Sequence, residues 1–212
     1  MMRFKRSLGG AIAPKIGSSA IAIKSGSLAL AALVLTAHPG WALPGQTVNL
    51  TESWIRNNPT LKPAPSDRLA INRLVAPGQR FTFQASVFPI SGVSPNQDPR
   101  QIRSERFSLS DHANPITVDR LDESLRAIYG QEIFNDYRQA TVLLRYPARG
   151  SRTNSTDNPN LVLRGEVRQG ERFAYWQEIA YDRAGTAYLG RMAVFVKEDL
   201  PTLQTQLAPY GE

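Results

Sequence analysis

The sequence predicts an α+β domain, a curved antiparallel sheet of about six to seven strands with helices packed on one face, after an N-terminal export signal. Three observations predict it. Residues 80–88 alternate apolar and polar side chains, residues 118–128 carry one apolar stripe at helical spacing, and four strand-like segments follow that helix. Alternation with period two marks a strand with one dry face. A stripe at i, i+3, i+7 and i+10 marks an amphipathic helix. Strands that succeed one another through short turns pair antiparallel.

The chain begins with a basic stretch from Arg3 to Lys24, then a short apolar run from Leu28 to Ala37, then His38-Pro39-Gly40. Gly40 and Ala42 are small residues in the −3 and −1 positions for cleavage after Ala42. Ten apolar residues at ~1.5 Å each reach about 15 Å, half of a bilayer core of about 30 Å. Residues 1–42 are therefore expected to be a signal peptide. The alternative is an uncleaved anchor over residues 21–42, the one route by which the chain would touch a membrane.

Residues 43–66 read as a proline-rich arm, with Pro44, Pro59, Pro63 and Pro65 forbidding long regular structure. One helical turn is expected at residues 51–56, capped by Thr51, with Trp54 and Ile55 docked on the body. The α+β domain proper should span 67–212, long enough to bury a self-sufficient core. Its first two strands are 69–75 and 80–88, followed by a polar loop over 89–100 and a third strand over 102–109.

Pro115 opens the clearest helix, with Val118, Leu121, Leu125 and Ile128 on its apolar face. Gly130 stops it, and a second short helix follows over 131–136. The remaining strands are Thr141 to Tyr146, 161–168, 172–181 and 186–196, with a polar loop over 148–160. A last helix begins at Asp199, carries Pro201 in its first turn and turns Leu200, Leu203 and Leu207 to one side. A long final meander after a helix is similar in outline to cone-shaped, nuclear-transport-factor-like domains, on element order.

The last hairpin permits a register. Pairing Tyr181 with Thr186 places Phe173, Tyr175, Ile179, Met192 and Val194 on the core face, with Gln177 the exception. The opposite face then holds Trp176 across from Arg191, Glu178 across from Leu189 and Arg172 across from Phe195. Cross-strand neighbours lie about 5 Å apart, so Arg191 is placed to stack on Trp176. A two-residue turn at Gln169-Gly170 would put Arg164 beside Tyr175, so a bulge or a longer loop is expected there.

Charge and composition exclude several functions. The net charge is +7, but five of the 25 basic residues and none of the 18 acidic ones fall in residues 1–42. That leaves 20 basic against 18 acidic, a net of +2, so no broad field draws in a nucleic acid. There is no cysteine, which removes disulfides, thiol nucleophiles and cysteine-bound zinc or iron–sulfur clusters. A cysteine-free exported chain suits a bacterial periplasm or extracellular space. No cofactor and no metal site is expected.

Candidate catalytic groups are sparse. His112 is the single histidine after residue 42 and sits in Ser110-Asp111-His112. Sequence neighbours in a strand point to opposite faces, so these three do not converge as a triad. Glu178 is the other weak catalytic candidate. The marked bias is towards arginine, with 18 Arg and only Lys62 and Lys197 after residue 42. A planar guanidinium grips a carboxylate, sulfate or phosphate with two bonds. Arg103, Arg106, Arg172, Trp176 and Arg191 are the candidate binding residues. The expected function is a non-catalytic binding or assembly domain exported to the bacterial envelope, with a protein, peptide or anionic envelope component as partner. The alternative is a hydrolase-like enzyme with a carboxylate pocket in a cone-shaped fold. A deep pocket with converging acids beside Trp176 and Arg191 would favour the enzyme; a shallow face would favour docking.

Overall fold

The computed structural model describes residues 43–92, 98–147, 153–154 and 162–210. The expected signal peptide and parts of both polar loops lie outside the described residues. Helix α1 (Val48–Asn57) precedes strands β1 (Ala70–Ala76), β2 (Gln79–Ser86) and β3 (Ser104–Asp111). Helix α2 (Val118–Gln139) leads to β4 (Thr141–Tyr146), β5 (Thr153–Asn154), β6 (Val162–Gln169), β7 (Ala174–Tyr181) and β8 (Ala187–Phe195). Helix α3 (Leu200–Leu207) follows. The sheet order is β1-β2-β3-β8-β7-β6-β4, with β5 pairing on β6. All pairs are antiparallel, so the chain is α+β. Helix α2 carries it from one meander to the far edge, and β8 returns to zip onto β3.

The arm does more than link. Helix α1 runs ten residues and starts a turn earlier than expected, because the Thr47 hydroxyl rather than Thr51 accepts from the Leu50 N–H at 3.5 Å. Leu43, Ile55 and Leu61 are buried, and Trp54 stacks on Tyr129 at 5.7 Å between ring centres. In α2, Leu121, Leu125 and Ile128 are buried as expected, but Val118 is exposed, since it is the first residue after the Thr117 cap. Gly130 interrupts α2 with φ 83°, and the helix resumes towards Gln139. Glycine tolerates that conformation without strain, so Gly130 ends the first helical segment as expected, and the second segment runs on to Gln139 beyond the kink.

Of the last two hairpins, one is as expected and one departs from it. The β6–β7 loop is the longer one, with Gln169 opposite Ala174 and Arg168, not Arg164, opposite Tyr175. The Asp136 carboxylate shapes it by accepting the backbone N–H of Glu171 at 2.8 Å and of Arg172 at 3.2 Å. In the β7–β8 hairpin the faces are as expected but the register is displaced by two residues. Tyr175 faces Val194, Gln177 faces Met192, Glu178 faces Arg191 and Trp176 faces Ala193. The cause lies in the turn. The Asp182 carboxylate accepts the Thr186 N–H at 2.8 Å, drawing Thr186 into the loop, and a bulge between Ala180 and Tyr181 adds the second step.

Helices pack on both faces of the sheet rather than on one. Helices α1 and α2 cover the face carrying Phe83, Phe107, Tyr175, Met192 and Val194. Helix α3 sends Leu200 and Leu203 to the other face, onto Phe195, Ala193, Ala174 and Val167. The apolar stripe of α3 was legible in the sequence; nothing local in it specifies which face it would cover.

Candidate functional site

On the face that α3 partly covers, strand alternation aligns a polar row across six strands. Thr82, Ser108, Arg191, Glu178, Gly165 and Tyr146 are consecutive cross-strand partners from β2 to β4. The adjacent row places Arg106 beside Ala193, and Ala193 beside Trp176. Arg106 and Arg191 are therefore diagonal neighbours on one surface, with Glu178 directly across from Arg191 and Trp176 diagonal to it on β7.

Glu178 is firmly held. Arg191 donates from Nη1 to Glu178 Oε1 at 3.1 Å, and the Tyr146 hydroxyl donates to Oε2 at 2.7 Å. The same Tyr146 oxygen accepts the Trp176 indole N–H at 2.7 Å. The relay exists because residue 165 is glycine. A Cβ there would lie 2.5 Å from the Tyr146 ring carbon that bears the hydroxyl and 2.6 Å from the Gln177 carbonyl oxygen. Burial, followed by the Glu178 charge, holds the Tyr146 phenol well above its ordinary value. It therefore acts as a fixed donor at neutral pH.

Arg106 stands apart. Five arginines among the described residues are half-buried, and four have polar partners: Arg73 on the Leu61 and Thr60 carbonyls, Arg103 on Asp199, Arg120 on Asp111 and Arg168 on Glu166. Arg106 makes no hydrogen bond or ion pair with any described residue; its guanidinium lies over the Trp176 ring, 5.8 Å from the centre. Burial, then the neighbouring Arg191 charge, lowers its proton affinity below the ordinary value, with Glu178 opposing the shift. A cation over an aromatic face gains on the order of 1 kcal/mol, less than a desolvated guanidinium gives up without an anion.

The sequence-predicted residues divide accordingly. Trp176, Arg191, Arg106 and Glu178 come together, joined by Ala193, around a cavity of about 10 Å³. That volume is at the limit for one water molecule and far below the few hundred Å³ of a substrate pocket. Arg103 lies elsewhere, tying the start of β3 to Asp199 with Nε 3.2 Å from the carboxylate. Arg172 pairs with Glu132 on α2. His112 is exposed and stacks on Tyr188 at 6.0 Å. It is placed as a turn residue, its backbone N–H on the Gly78 carbonyl. The expected stacking of Arg191 on Trp176 is replaced by Arg106, which reaches the ring from β3.

Tyr146 and Gly165 were missed by sequence reasoning, because their roles depend on strands paired across the β6 edge. A tyrosine ending β4 gives no local hint of a partner 32 residues away. Glu105 was also missed. It is fully buried on the helix face, opposite Ala85 and Val194. Neither of its carboxyl oxygens nor the Tyr129 hydroxyl has a hydrogen-bond partner. Burial pushes the Glu105 carboxyl up to about 8, with Tyr129 opposing. A larger open depression of about 470 Å³ lies beside Asp136, Thr141, Gln169 and Glu171. Of its two acids, Asp136 is already occupied by the loop and by the Tyr175 hydroxyl at 2.6 Å, and Glu171 is exposed.

Among the described residues, no three His, Asp or Glu side chains gather where they could hold a metal ion. No protein-family model, curated protein or solved structure matches the chain.

Proposed function

We propose that this chain is an exported, non-catalytic binding or assembly domain of a bacterial envelope, docking a partner on the sheet face that carries Trp176, Arg106 and Arg191. The observation that carries this reading is Arg106, a half-buried guanidinium with no anion or carbonyl among the described residues. The donors of such a group are left for water or for a bound partner. The shallow cavity supports docking over enclosure of a substrate. Export rests on the basic and apolar leader of residues 1–42.

Expression in a bacterial host tests both halves. The expected product is a chain recovered outside the cytosol whose intact mass corresponds to a start at Leu43. Full-length chain in the cytosol would contradict export. Hydrolytic turnover by the purified protein, surviving substitution of Trp176 and Arg191, would contradict the docking role.

The hydrolase reading has one observation in its favour, a carboxyl group kept neutral near pH 7 at Glu105. Glu105 has no exposed surface, so that reading requires the helices to open from the sheet. Loss of turnover in Glu105→Gln without loss of fold would support it.

A further inference from the structure

We propose that Arg106 and Arg191 form a receptor for a single carboxylate presented by a protein partner, as an acidic side chain or a chain terminus, received above the Trp176 ring. This deepens the docking reading above and rests on it. The charge count at the cluster sets the stoichiometry. Two guanidinium groups face one carboxylate, and Glu178 has both oxygens taken by Arg191 and Tyr146. Neither of these bonds comes from Arg106, which makes no hydrogen bond to Glu178. One positive charge remains, carried on a planar group whose five N–H donors meet no described residue. Arg191 gives Glu178 only its Nη1, and its side chain is 44% exposed. The two guanidiniums therefore present donors on one surface, from adjacent strands.

The geometry also selects the ligand class. A carboxylate is flat, carries one negative charge and matches a guanidinium fork with two parallel bonds. A phosphate dianion brings two charges to one uncompensated cation and sets the excess against Glu178. The cavity of about 10 Å³ admits no free metabolite, so the body of the ligand lies on the surface and only its acid reaches the receptor. An anionic membrane is recognised by many basic groups acting together, at about 1 kcal/mol each. The chain beyond residue 42 has a net charge of only +2. A protein carrying one well-placed acid fits what remains. Thr82 and Ser108, hydroxyl to hydroxyl at 2.6 Å in the row beside Arg191, supply a polar rim.

The test uses the chain as the host matures it, isotope-labelled so that the Arg106 and Arg191 Nε–H and Trp176 indole signals are followed by NMR. The probes are acetyl-Ala-Ala-Glu-Ala-Ala-amide, its Gln counterpart, acetyl-pentaalanine with a free carboxyl terminus, and inorganic phosphate. At least one carboxylate peptide should shift the Arg106 and Trp176 signals saturably, and the tighter of the two identifies the source. The Gln peptide should not bind, and phosphate should bind about tenfold more weakly. Arg106→Met should weaken the carboxylate peptide about tenfold, while Arg106→Lys, which keeps the charge and loses the fork, recovers only part. Equal binding of the Glu and Gln peptides would overturn the carboxylate receptor and leave a docking face. Tighter binding of phosphate would overturn it in favour of a phosphorylated ligand. Absence of any saturable shift up to about 10 mM would overturn the receptor outright, with export and lack of turnover still judged by maturation and assay.

Discussion

Each face of the sheet buries a glutamate, and the fold treats the two in opposite ways. Glu105, on the helix face, has no cation and no hydrogen bond, and burial keeps it protonated up to about pH 8. Glu178, on the α3 face, has a guanidinium, a phenol and, through that phenol, an indole arranged around it. The helix face is otherwise largely apolar, from Ile71 to Tyr175, with Gln177 and Asp122 the buried polar exceptions. The α3 face is apolar only where Leu200 and Leu203 cover it, and polar from Thr82 to Tyr146. An isolated acid in a dry core weakens the fold; an acid in an organised row orients its neighbours. Burial is common to both acids; what separates them is the set of partners around each.

The largest expected effect breaks the comparison on the helix face. The folded Glu105 keeps its proton between its ordinary value of 4.5 and about 8, where the unfolded chain has lost it. The unfolded state binds fewer protons there, so stability falls as pH rises through that window, by on the order of 4 kcal/mol in all. Urea unfolding on either side of the window should show the loss, and Glu105→Gln should flatten it.

Next in size is Gly165→Ala. The added methyl group meets the Gln177 carbonyl and the Tyr146 ring, at a cost of about 2–3 kcal/mol. Thermal unfolding should register the loss, and the Trp176 indole signal should move as Tyr146 is pushed away. Tyr146→Phe is milder, about 1–2 kcal/mol, because it leaves one Glu178 oxygen and the Trp176 N–H unpaired. A double-mutant cycle with Glu178→Gln should give a non-zero coupling if the relay acts as a unit. The smallest effect is Arg106→Met. Loss of an uncompensated cation beside Arg191 should change stability by no more than about 0.5 kcal/mol, or raise it slightly. A large loss would mean that Arg106 holds the fold together instead of awaiting a partner.

Much of this arrangement was legible from alternation and punctuation. Phe81, Phe83 and Ala85 on one face of β2, the α2 stripe and the start of α3 at Asp199 follow from spacing and local propensity, although the Asp199 carboxylate pairs with Arg103 instead of capping the helix. Face assignment in the last hairpin also held, because a displacement of two residues preserves which side each side chain takes. The displacement itself depended on an Asp182 side chain folding back on Thr186, which alternation does not encode. The site suffered most from that. Trp176 and Arg191 were recognised, but their contacts with Arg106, Tyr146 and Gly165 arise from strands joined across the sheet. Burial of Glu105 was hidden because, in the Ser104–Asp111 strand, a charged residue occupies the position that alternation assigns to the core.

The division of labour between the faces is tested most directly by titrating acetyl-Ala-Ala-Glu-Ala-Ala-amide into two single variants of the full chain, Arg106→Met and Glu105→Gln. The account predicts that Arg106→Met weakens binding about tenfold with little change in stability, and that Glu105→Gln changes stability with binding intact. Equal losses of binding in both variants, or a loss in Glu105→Gln alone, would contradict it.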